Sequence, residues 1–183
     1  MSFRFNNSNY TEHILGFKTF EDFKLRFEKQ SDRKQYLKNY SSEDDCCGLT
    51  VTFNNDDRIT NIRRKLDAPY TSAINWAVLG EFTHLEGLTL RGKGIIGTVE
   101  FEKLPRTLIS VDLGVNELSG TLNFEGLPPA LQYLYLDRNR FTKIINPMSL
   151  PSTVDCLTVQ GNPLSRSYQR RDFPQTVIYF STI

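Results

Sequence analysis

The side chains of this 183-residue chain best suited to nucleophilic or metal chemistry are two histidines, His13 and His84, and three cysteines, Cys46, Cys47 and Cys156. A hydrolase or transferase needs a nucleophile beside a base and an orienting group, or a bound metal, gathered in one pocket. The spacing assembles neither. The histidines sit in no recognisable motif with a cysteine or carboxylate, and no second cysteine pair stands at zinc-ligand distance. Cys156 lies in VDCLTV, where it faces outward between Val154 and Leu157, and no neighbour in sequence makes it acidic enough to be a ready thiolate. The glycine-rich LRGKGIIG lacks the strand–loop–helix setting of a phosphate loop. The chain therefore reads as non-catalytic, with no metal, no cofactor and no small-molecule substrate.

What remains is recognition chemistry. Arg91, Asp112, Tyr133, Tyr135, Asp137, Arg138, Asp155 and Tyr179 recur at outward positions of one pattern, and tyrosine and arginine combine large contact area with directional bonding. The pattern that positions them is a repeat. LEGLTLRGKGI begins at Leu85, LISVDLGVNEL at Leu108, LQYLYLDRNRF at Leu131, VDCLTVQGNPL at Val154 and VIYFSTI at Val177, each 23 residues after the last. The alternating LxxLxL part is a short strand whose leucines point into a core while the residues between them point out. Asn116, Asn139 and Asn162 recur in phase, and a buried turn needs such amides because its own backbone groups lack ladder partners. Lys93 takes that place in the first clear copy, so the asparagine ladder is expected to start one repeat later.

The second half of each unit is equally regular. Leu104-Pro105, Leu127-Pro128, Leu150-Pro151 and Phe173-Pro174 place an apolar anchor and a chain-stiffening proline on the return limb. Proline in every copy, with glycines in IIGTVEF and LSGTLNF, excludes regular helices there and leaves room for a brief second strand. Before the repeats, KTFEDFKLRFEKQ carries Phe20, Phe23 and Phe27 at helical spacing, and RKQYLKNY predicts a second short helix. These fit the cap that a solenoid needs to close the end of its core. In the longer stretch KLDAPYTSAINWAVLGEFTH, residues Ile74, Trp76, Val78 and Leu79 predict one turn or a short helix closing the first layer.

The segment FEDFKLRF…YLKNYSSEDDCCGLTVTFNNDDRITNI is similar to the amino-terminal cap of plant-type leucine-rich repeat proteins. LISVDLGVNELSGTLNFEGLP and LQYLYLDRNRF resemble the repeats of the same subclass, and LPPALQYLYLDRN also resembles those of protists, notably kinetoplastids. The resemblance spans residues 19 to 183 and falls in the period range of this repeat class. It implies an α/β repeat solenoid, a right-handed superhelix with short parallel concave strands, an irregular convex side and a helical cap. Residues 1–18 form a leading segment, 19–57 the cap and hairpin, and 58–183 the repeats. Family caps bridge both adjacent cysteines to partners; here no cysteine precedes Cys46 and Phe53 takes the later position. That departure implies free thiols at Cys46 and Cys47 and favours an intracellular setting, a bridge between the neighbours being the rarer alternative.

Composition bounds the partners. The 22 basic and 21 acidic side chains leave a net charge of +1, so no global field draws the chain to nucleic acid or an anionic membrane. The basic stretches RITNIRRK and RSYQRR keep RNA contact in a large particle as a minor reading. No apolar run of roughly 18 residues suggests a membrane span, and the amino terminus MSFRFNNSNYTEHILGF holds no apolar run long enough for a secretory signal. NNS, NYT and NYS match the glycosylation pattern, which without such a signal reads as chance. The expected partner is another protein, bound at the concave face. The alternative is a structural subunit docked through the strand VIYFSTI near Ile183, an edge that invites pairing.

Overall fold

The computed structural model describes residues 49–53, 59–64, 73–74 and 76–181. The expected cap helices, Cys46, Cys47 and Ile183 lie outside them. The hairpin is present as β1 (Leu49–Phe53) antiparallel to β2 (Ile59–Arg64). From β2 onward the main sheet is parallel: β3 (Gly87–Thr89), β5 (Ser110–Asp112), β7 (Tyr133–Tyr135), β9 (Cys156–Thr158) and β10 (Tyr179–Ser181) follow in sheet order. Leu88, Val111, Leu134, Leu157 and Phe180 face one another across it in an unbroken 23-residue register. Ile62 pairs with Leu88 across a longer step of 26 residues (88 − 62). The extra length holds α1 (Trp76–Leu79), whose Trp76 is buried and donates its indole N–H to the Thr98 carbonyl at 2.7 Å.

The leucines of the strand pattern form the core. Leu85, Leu88, Leu90, Leu108, Val111, Leu131, Leu134 and Leu157 are all 0% exposed, and each fully buried leucine contributes roughly 2 kcal/mol. The return limb is more ordered than its composition implied. A second parallel sheet joins β4 (Ile96–Gly97), β6 (Glu117–Asn123) and β8 (Arg140–Ile145). After it come short 3-10 turns, two of them at Phe101–Lys103 and Arg170–Asp172, and then the prolines. Pro105, Pro128, Pro151 and Pro174 each accept a hydrogen bond from the N–H three residues on, at 3.0 to 3.2 Å, and this tight turn aims the chain into the next strand. Phe101, Phe124 and Phe173 stack down this limb with centroids 6.2 and 6.3 Å apart.

The turn leaving each main-sheet strand uses a left-handed residue. Gly92, Val115, Arg138 and Gly161 have φ of 67°, 56°, 53° and 69°. Here the chain swings over so that the third residue on, Ile95, Leu118 or Phe141, returns to the core. Glycine suits this conformation and a β-branched residue opposes it, at a cost of roughly 1–2 kcal/mol. Val115 is 38% exposed, so little packing is lost with it. Val115→Gly is therefore expected to stabilise the fold by about 1 kcal/mol, read as a higher urea midpoint at unchanged slope. An unchanged or lower midpoint would show that the turn carries no such strain.

Candidate interaction face

The 23-residue register sets outward side chains of the main sheet in rows. One row is Asn61, Gly87, Ser110, Tyr133, Cys156 and Tyr179; the next is Arg63, Thr89, Asp112, Tyr135, Thr158 and Ser181. Tyr133 and Tyr179 are 39% and 55% exposed, and Ile178 beside them is 84% exposed. Tyr135 is half-buried. Burial pushes its phenol above the usual range, helped by the neighbouring Cys156 and Asp112. Burial likewise pushes the Cys156 thiol up, with the Tyr135 hydrogen bond pulling the other way and Asp155 adding to the rise. A thiol so held is a poor nucleophile.

Arg91, Asp112 and Asp137 come together in one cluster. The Arg91 guanidinium donates from Nη1 to Asp137 Oδ1 at 3.0 Å and from Nη2 to Asp137 Oδ2 at 2.6 Å, and reaches Asp112 Oδ1 at 3.2 Å. It spans two repeats to do so. Gly114 lies between, and a Cβ there would sit 2.8 Å from both the Arg91 guanidinium carbon and Asp137 Oδ1. Thr158 donates its hydroxyl to Asp137 Oδ1 at 3.2 Å, and the Gly114 N–H bonds Asp112 Oδ1 at 3.0 Å. Asp137, expected on the open face, is only 3% exposed because this cluster closes over it. Arg138 stands on the left-handed turn with its side chain over Gly161, and Asp155 directly precedes β9. Sequence reasoning missed the bridge and the exposed Ile178. The signal was present, since arginine, glycine and aspartate occupy one repeat position at 91, 114 and 137.

The bridge makes stability depend on pH. Burial alone would raise the Asp137 carboxyl, but the Arg91 hydrogen bond and charge, with Thr158, outweigh it and hold the group below its ordinary range. Arg91 is raised in turn, first by its hydrogen bond to Asp137. A carboxyl lowered in the folded state stabilises fully above its unfolded value of about 3.9 and loses that contribution as pH falls through the folded value. Arg91→Met leaves the carboxylate buried without its cation. The Arg91 side chain is 40% exposed, so water softens the loss to about 2 kcal/mol at pH 7. Urea titrations at pH 7 and pH 3 should show the deficit shrinking at the lower pH, as protonation removes the charge that Arg91 compensates. A deficit equal at both would assign it to packing.

A chain whose repeated units each add one parallel strand to a common sheet, closed by an asparagine-lined turn over a leucine core, has the leucine-rich repeat fold, here in about five turns. No protein-family model and no curated protein matches it. Solved structures do. The leucine-rich repeat ectodomain of the receptor kinase SOBIR1 from Arabidopsis thaliana superposes with a TM-score of 0.54 at 19% identity, over 86% of this chain and 90% of that one. The PEPR1-AtPEP1 crystal structure aligns with a TM-score of 0.50 at 20% identity, over 76% of this chain. This chain spans 21% of the PEPR1 chain's length.

Proposed function

We propose that the protein is a non-catalytic binding module that takes another protein on the concave face of its solenoid. The observation that carries this is the exposed pair Tyr133 and Tyr179, set in register on a parallel sheet, with the exposed Ile178 beside Tyr179. The nearby charges Arg91, Asp112 and Asp137 satisfy one another, so aromatic area is what the face offers a partner. Likeness to an ectodomain and to PEPR1-AtPEP1 supports the same reading.

A native pull-down compares the wild type with the double variant Tyr133→Ala, Tyr179→Ala, matched for fold by circular dichroism. Partners kept by the wild type and lost by the variant locate recognition on this face. Partners retained by both would move it elsewhere, first to the second reading, a subunit docked through β10. That reading is favoured by Ile178 and by β10 standing outermost among the described strands.

A further inference from the structure

We infer that the concave face grips an arginine-bearing segment of its partner, with one guanidinium seated over Cys156 between Tyr133 and Tyr179. This rests on the concave-face reading above and adds the chemistry of what is held. In the row Tyr133, Cys156, Tyr179 the middle residue is small and its neighbours are large and exposed. Strands in a sheet stand about 4.8 Å apart, so the two tyrosine positions are roughly 10 Å apart and a group above Cys156 is about 5 Å from each. A cation is attracted to an aromatic face within roughly 6 Å of its centroid. The notch is thus wide enough for one flat cation with a ring on either side.

Charge points the same way. Asp155 borders the notch directly before Cys156. Neither Asp155 nor Glu86, further along the face, makes an ion pair with another described residue. Arg91, which reaches towards this half, is held by Asp137 and Asp112. Arg63 on β2 and Arg138 on its turn stand at the margins. The surroundings of the notch are therefore negative and aromatic. Guanidinium suits them better than ammonium, because it is planar, stacks on rings and is less strongly hydrated.

Fluorescein-labelled nona-arginine, nona-lysine and nona-glutamate, titrated into the full chain at 150 mM salt and followed by anisotropy, test this. Nona-arginine should bind, nona-lysine more weakly and nona-glutamate not at all. Tyr133→Leu with Tyr179→Leu keeps apolar bulk but removes both ring faces, and should weaken nona-arginine roughly ten-fold. Tyr133→Phe with Tyr179→Phe should stay within about two-fold of wild type, since phenyl faces also attract cations. Asp155→Asn should weaken binding a few-fold. Equal binding by the leucine and wild-type chains, or preference for nona-glutamate, overturns the proposal. Loss of the pull-down partner in the leucine variant alongside unchanged nona-arginine binding would sink the guanidinium assignment and leave the concave face standing. Retention of both would sink the two together.

Discussion

Asn116→Ala is expected to cost about 3–4 kcal/mol, a large share of the roughly 5–15 kcal/mol that holds a domain folded. The side chain is 7% exposed and makes five bonds, all to backbone. Its Oδ1 accepts from the Lys93 and Ile95 N–H groups at 2.9 and 3.1 Å. The two Nδ2 protons are shared among the carbonyls of Leu90, Leu113 and Gly114, at 2.9, 2.9 and 3.2 Å. One amide thus closes its own turn and ties it to the turn of the previous repeat. Alanine leaves two buried N–H groups without acceptors, and an unmet buried donor costs more than a made bond contributes. Urea unfolding followed through the single tryptophan, the buried Trp76, measures the loss. Asn162 is the internal control. It is less buried and makes three such bonds, to Phe141, Leu136 and Val159, so Asn162→Ala should cost only about half as much. Equal losses at both positions would mean that burial does not set the value of the ladder.

Tyr168→Phe should destabilise the protein by about 2–3 kcal/mol although it removes a single oxygen. The Tyr168 hydroxyl accepts from the Ile144 N–H at 2.9 Å and donates to the Ile144 carbonyl at 2.7 Å. Ile144 pairs with Leu122 of β6 on one side of β8. On the other side the hydroxyl does what a further strand would do, satisfying donor and acceptor of one residue. Phenylalanine keeps the ring against Phe173, 6.2 Å between centroids, and under the Arg166 guanidinium at 3.9 Å. The loss therefore reports the hydroxyl alone. Opening this edge should also promote pairing between molecules, visible as concentration-dependent mass by light scattering. A loss below about 0.5 kcal/mol with no added association would mean that water replaces the hydroxyl.

These two residues differ in how far they could be read beforehand. Asn116 belongs to a series 23 residues apart, and its role followed from the need of a buried turn for side-chain partners. Tyr168 has no counterpart, since the position one repeat earlier is Ile145. The second sheet was underread for a local reason. Its register shifts at Gly120/Thr121, where β8 carries the extra residue Thr142, so the buried Phe141 and Ile144 fall three apart and the alternation that marks a strand is broken.

The sequence by itself determined the repeat length, the inward face of the strands in the 23-residue repeats and the asparagine ladder. Each of these depends on side chains one period apart, and a stack of equal turns turns sequence phase directly into position. Only the tertiary structure decided which outward residues are free. Tyr133 and Arg91 look equally available in a repeat alignment and are about equally exposed, yet Arg91 is drawn across Gly114 and tied up by Asp137 and Asp112. That outcome depends on the reach of a long side chain and on the space left by a missing Cβ one strand away, neither of which the phase of the pattern encodes.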